Sequence, residues 1–197
     1  MRIAAVSTSL VILGVSQWAL AQSKEKWPKP EVMVAPVYPR TALGRGIQVV
    51  VTVSADVDRY GNVTRANAVE TPCRYSTPSP DAGAPACDFA REAEIHRATA
   101  DRCRNESLDQ SLPEATRKAK YKEFDTEYWL AAQFEVYAAA EQAARQWIFQ
   151  SVRPATPPGH HVIDLTFRFS RGDSAFIQVI DPWTIAVTGA LYPAPDD

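Results

Sequence analysis

Ile47-Gln48-Val49-Val50-Val51-Thr52-Val53-Ser54-Ala55-Asp56-Val57-Asp58-Arg59-Tyr60-Gly61-Asn62-Val63 is the stretch on which the reading of the fold turns. Ile47, Val49, Val51, Val53, Ala55 and Val57 alternate with Gln48, Thr52, Ser54 and Asp56. That is the two-residue period of a strand with one strongly apolar face. Asp58-Arg59-Tyr60-Gly61-Asn62 is turn chemistry, with Gly61 free to take a positive φ. Residues 63–70 are therefore expected to return antiparallel to the first strand.

Working outward, a loop over residues 71–85 with four prolines opens a large insertion, about residues 71–123, whose remainder is rich in Lys, Arg and Glu. Between Asp88 and Gln110, Phe89, Ala93, His96, Ala100 and Cys103 recur at spacings of four and three, which predicts an amphipathic helix. A second helix is expected to begin at Asp125 as N-cap, with Glu127 near the positive end of the helix dipole. Trp129, Ala132, Val136, Ala140, Ala143 and Trp147 share its apolar face. Pro154, Pro157, Pro158 and Gly159 stop any continuation. His161, Ile163, Leu165, Phe167 and Phe169 then alternate with Asp164, Thr166, Arg168 and Ser170 as a third strand. The expected fold is α+β: a three-stranded antiparallel sheet packed by a long helix, with a helical insertion and a C-terminal β tail over residues 171–197. In that tail, residues 170–173 read as a tight turn. Phe176-Ile177-Gln178-Val179-Ile180 and Trp183-Thr184-Ile185-Ala186-Val187 each suit a strand, the first of them expected antiparallel beside the third strand.

The other end of the chain reads as an address. Arg2 supplies a positive start, residues 3–15 are apolar, and Ala19-Leu20-Ala21 gives the small-x-small pattern before Gln22. The apolar run falls short of the roughly 20 residues of a spanning helix. Residues 1–21 are expected to be a cleaved secretory signal and the protein periplasmic; a retained inner-membrane anchor facing the periplasm is the alternative. Residues 22–33 form a polar, Pro-rich tether. The 197 residues carry a net charge of −2, so no basic excess exists to neutralise phosphates, and a nucleic-acid partner is not expected.

Three cysteines, Cys73, Cys87 and Cys103, fit an oxidising compartment and leave one thiol over. On a continuous helix Cys87 and Cys103 would lie about 24 Å apart at 1.5 Å per residue, beyond the reach of a disulfide. Cys73 with Cys87 is the preferred bridge and Cys73 with Cys103 its rival; a broken helix would reopen the third pairing.

No nucleophile elbow, phosphate loop, paired zinc motif or Ser/His/Asp spacing is present. His160, His161 and Asp164 could suggest a metal, but adjacent residues of a strand point to opposite faces, and neither a metal nor a cofactor is expected. Arg171-Gly172-Asp173 reads as a turn, and Asn62-Val63-Thr64 and Asn105-Glu106-Ser107 are glycosylation sequons by pattern only. The chain is not read as an enzyme. The alternative to a binding module is a small exported hydrolase using His96, Cys103, Glu94 and Asp101 of the insertion.

Ala35-Pro36-Val37-Tyr38-Pro39, Ala42 and Gly46, the valine strand, and Asp58-x-x-Gly61-x-Val63 resemble the opening of the TonB C-terminal domain. Its second half is similar to Ala143-Ala144-Arg145-Gln146-Trp147-Ile148-Phe149, Pro154-Ala155, Gly159 and the Phe167/Phe169 strand. The resemblance covers residues 34–170, interrupted by the insertion. It implies a short helix after Tyr38-Pro39, two strands, a long helix and a third strand. It also implies a role in linking an inner-membrane proton-driven motor to outer-membrane receptors. Members grip a short receptor segment by adding it as a strand beside their last strand. Carried over, the gripping strand is His161, Val162, Ile163, Asp164, Leu165, Thr166, Phe167, Arg168 and Phe169, with Asp164, Thr166 and Arg168 for side-chain selectivity. The implied partner is an outer-membrane TonB-dependent receptor or other envelope protein, with inner-membrane motor proteins behind it. Family transducers keep a membrane helix and a long Pro-rich spacer, whereas residues 22–36 here reach only about 50 Å fully extended. The expectation is accordingly a periplasmic binding module, whose C-terminal tail either covers the gripping edge and must be displaced or moves the binding site to a new edge.

Overall fold

A computed structural model of the protein describes residues 28–69, 76–77, 86–151 and 161–190. The signal segment, residues 22–27 of the tether, Cys73 and most of the loop after residue 70, His160 and the prolines before it, and residues 191–197 lie outside the described residues. In chain order the elements are β1 (Pro30–Val32), α1 (Arg40–Gly44), β2 (Val49–Val57), β3 (Val63–Ala68), β4 (Ser76–Thr77), β5 (Ala86–Cys87), α2 (Phe89–Leu108), α3 (Glu114–Ala144), β6 (Ile148–Phe149), β7 (His161–Gly172), β8 (Phe176–Asp181) and β9 (Thr184–Ala190). The class is mixed α+β.

The valine strand behaves as its alternation requires. Val51, Val53, Ala55 and Val57 of β2 are buried on one face. The turn to β3 is closed by the Asp58 carboxylate, which accepts the backbone N–H groups of Tyr60 and Asn62 at 2.9 Å each. Gly61 sits there at φ 90°, and a Cβ on it would fall 1.8 Å from the Phe149 carbonyl oxygen, so only glycine fits. On its other side β2 pairs antiparallel with β7, from Val49 opposite Phe169 to Val57 opposite His161. Ile163, Leu165, Phe167 and Phe169 therefore share the buried face.

The sheet itself is larger than expected. It has five strands in the order β3-β2-β7-β9-β8, so the three expected strands are its contiguous half and the tail supplies the rest. The tail is also arranged differently from the expectation. β9, not β8, lies beside β7, and it runs parallel, from Thr166 opposite Thr184 to Gly172 opposite Ala190. The inner position goes to the strand whose side chains suit it. β9 places Ile185 and Val187 in the core between small residues, Thr184, Ala186 and Thr188. β8 pairs antiparallel with β9 on the outside.

The helices also depart from the sequence reading. α2 is the expected helix, N-capped by Asp88, whose side chain accepts the Arg91 N–H at 3.0 Å. α3 starts eleven residues before Asp125, at Glu114 after Pro113, because all but Thr116 of Glu-Ala-Thr-Arg-Lys-Ala-Lys are good helix formers. Asp125 is thus mid-helix and pairs with Arg45 rather than capping, and the expected insertion boundary near residue 123 falls inside one unbroken helix. Trp129 is 45 % exposed instead of buried. Two faces of α3 are used: Ala132, Val136, Ala140 and Ala143 join the sheet core, while Phe134 and Tyr137 stack on Phe89 of α2. Trp147 lies past the helix end, yet it is buried, with its ring against Phe149 and Phe167 and its Nε1–H donating to the Val34 carbonyl at 2.9 Å. Among the described residues no helix is long and apolar enough to cross a membrane.

Candidate partner-binding edge

β7, the strand expected to grip a partner, is interior over much of its length. β2 lies along one side, and β9 covers residues 166–172 on the other. Thr166 N–H donates to the Trp183 carbonyl at 2.8 Å, closing the start of that pairing. Only residues 161–165 have no strand paired on the β9 side among the described residues. Asp164 and Arg168 do face solvent on the outer face, with Thr166 half-buried between them.

The sheet ends on β3 at one side and on β8 at the other, each six residues long, and β8 is the more apolar and exposed of the two. All six of its residues are exposed, and Phe176, Ile177, Val179 and Ile180 are 50, 61, 50 and 47 % accessible. Apolar side chains occupy both parities, so both faces of the strand are apolar, and Asp181 at its end is the strand's one ionisable residue. The strand carries no Lys and no Pro, two of the devices that keep edges from pairing with another chain. At the start of the strand, against Phe176 and Ile177, lies an apolar groove of about 450 Å³, with residues 35–38 and Leu43 on one wall and the β8–β9 hairpin on the other. The two walls meet closely at Gly189, where a Cβ would lie 2.9 Å from side-chain carbons of both Tyr38 and Leu43. The sequence held a signal for this edge: a run apolar at both parities is either buried on both faces or exposed for a purpose.

The insertion residues weighed for chemistry do not converge. His96 is buried between α2 and α3, stacked on Phe134, with Nδ1 2.5 Å from Glu127 Oε2 and Nε2 3.7 Å from Glu92 Oε2. Glu92, fully buried on the apolar face of α2, is a partner the periodicity did not reveal. Cys103 is buried about 10 Å further along the helix axis, at 1.5 Å per residue over seven residues. Burial and the nearby Glu123 carboxylate push its thiol pKa up, which disfavours the nucleophilic thiolate. Glu94 and Asp101 face solvent. Among the described residues no group of three or more His, Cys, Asp and Glu could hold a metal ion. Cys103 is a free cysteine, and α2 runs unbroken from Phe89 past Cys103, which keeps it apart from Cys87 at the end of β5; Cys73, the expected partner of Cys87, lies outside the described residues.

Among the described residues Glu141 is the one buried acid whose ionisation is strongly displaced. It closes a cleft of about 500 Å³ bordered by Asn67, Asp88, Phe89 and Arg145. Ala68 N–H donates to its Oε1 at 2.9 Å, and Arg145 Nη2 lies 3.3 Å from its Oε2, so it ties β3 to the end of α3. Burial pushes its pKa up to about 7, against the pull of the Ala68 N–H and Arg145 and with a small push from Asp88. A folded pKa above the free value of 4.5 means that the folded state holds this proton more tightly. The resulting stability is fully present below about pH 4.5 and is lost as pH rises through about 7. At 1.36 kcal/mol per pKa unit the loss amounts to about 3 kcal/mol. Glu141→Gln keeps an acceptor for Ala68 and removes the titration. Denaturant midpoints should then be flat between pH 5 and 8 where the parent chain declines, and identical profiles for the two would contradict this account.

Comparison with protein-family models, with curated proteins and with solved structures finds no match to this chain.

Proposed function

We propose that this chain is an exported protein-binding module, TonB-like in its fold, which captures an extended segment of an envelope partner by strand addition at β8. The observation that carries the reading is the six-residue edge of β8, unpaired on its outer side among the described residues, apolar on both faces and exposed throughout. An open edge presents a row of backbone N–H and C=O groups that an incoming strand satisfies. The TonB likeness is supported by α1 directly after Tyr38-Pro39 and by β3, β2 and β7 lying side by side under α3. The tail has moved the edge outward by two strands. On this reading the partner is an outer-membrane receptor or another envelope protein, with inner-membrane motor proteins as possible further contacts, and the site of action is the periplasm. A bridge between Cys73 and Cys87 belongs to the same proposal.

Lysine at an edge opposes pairing with another strand. Ile177→Lys and Ile180→Lys, one on each face of β8, should leave the melting temperature of the chain lacking residues 1–21 unchanged. Each should weaken a partner isolated from envelope extract by at least about tenfold, equivalent to 1.4 kcal/mol. Unchanged affinity in both variants would exclude β8 as the docking strand.

A further inference from the structure

We infer that the groove beside β8 is the side-chain pocket that selects the added strand, taking one bulky uncharged residue of leucine or phenylalanine size. This inference rests on the strand-addition reading and adds to it the chemistry of the ligand. Residues directly opposite one another on neighbouring strands share a face. Ile177 lies opposite Val187 of β9, and Val187 opposite Phe169 of β7, all on the side of the sheet that carries the core. A residue of an incoming strand set opposite Ile177 therefore directs its side chain to that same side, where Ile177, Val187, Val37, Tyr38 and Leu43 line the groove. Its immediate neighbours in the added strand point to the other face, and Val179, two residues further along β8, does not line the groove, so the position opposite Ile177 is the main one read there.

The lining fixes what that position accepts. Every residue around the groove is uncharged, and the Tyr38 hydroxyl is turned inward to donate to the Ile47 carbonyl. A charged side chain entering would lose its hydration, and the nearest charge, Arg171 opposite Gly189, lies outside the lining. A volume of about 450 Å³ is ample for one large side chain. The occupant must be an extended chain segment because the adjoining edge offers backbone hydrogen bonds that a free apolar small molecule leaves unmet.

The test uses fluorescein-β-alanyl-Ser-Thr-Val-X-Val-Thr-Ser-amide peptides, labelled at the N-terminus, with X as Ala, Leu, Phe, Asp or Lys, titrated by anisotropy into the chain lacking residues 1–21. Leu and Phe are expected to bind at least tenfold tighter than Asp and Lys. Val37, 82 % exposed at the groove, is changed to Trp to fill it from the rim. Val37→Trp should bring Leu and Phe down to the affinity of Ala while leaving the Ala peptide unchanged. Equal binding for all five peptides overturns the groove as selector and leaves strand addition intact, whereas no binding of any peptide overturns strand addition itself. Two further results overturn the assignment of the occupant: a tenfold gain on deleting residues 191–197, which makes the chain's own tail the occupant, and a concentration-dependent dimer lost in Ile177→Lys, which makes it a second copy.

Discussion

Trp147→Ala is expected to lower the stability of the domain by about 3–5 kcal/mol, the range for deleting a fully buried tryptophan. The indole is 1 % exposed and meets Phe149 and Phe167 at ring-centroid distances of 6.0 Å each. Its Nε1–H also satisfies the Val34 carbonyl, so the alanine variant leaves that acceptor without its partner. The same residue joins three parts of the molecule: the chain entering α1, the end of α3 and the centre of the sheet. Urea unfolding of parent and variant measures the difference. A change below about 1 kcal/mol would mean that the indole is not a packed core group and that the helix-on-sheet arrangement is wrong.

Truncation after Gly172 is expected to abolish cooperative folding rather than to bare a binding edge. The sequence reading offers two roles for the tail: a cover that is displaced from β7, whose removal would raise affinity, or a new edge that carries the binding site. The packing of the tail favours the second. β9 inserts Ile185 and Val187, 1 and 5 % exposed, into the same core as Phe167 and Phe169, and Trp183 stacks on Phe149 at 6.0 Å. Deleting one buried aliphatic side chain costs about 2–5 kcal/mol. Losing two of them, an aromatic contact and a seven-residue strand pairing is comparable with the about 5–15 kcal/mol total of an ordinary domain. A truncated chain with a sharp thermal transition would contradict this account of the tail.

The parts of the fold legible in the sequence are those governed by local period. The valine strand, its glycine turn, α2 and the alternating β7 follow from side-chain spacing alone, and each lies within a few residues of its expected limits. The start of α3 was hidden because residues 114–124 carry charge on all sides, and helix propensity without an amphipathic stripe gives no periodic signal. Trp129 was misplaced for a related reason: α3 packs on both the sheet and α2, and a single-stripe reading cannot separate two contact faces. The order of β8 and β9 was beyond local reasoning. A short connection after β7 favours pairing of the next strand, yet burial of Ile185 and Val187 decides the outcome, and burial is a property of the whole core. The candidate edge was half legible, since the apolar Phe-Ile-Gln-Val-Ile run was read as a strand while its position at the rim was not. The groove was not legible at all, because residues 35–43 and 175–190 meet there only through the fold.

Amide hydrogen exchange of the chain lacking residues 1–21, with and without its isolated envelope partner, tests the central claim most directly. The account predicts that the partner slows exchange in residues 176–181, where outward-facing amides gain acceptors from the added strand, and leaves the solvent face of β2 and the tip between α2 and α3 unchanged. Slowing confined to residues 161–165, the one stretch of β7 without a strand on its β9 side, would return the binding site to the strand implied by the resemblance and contradict the assignment to β8.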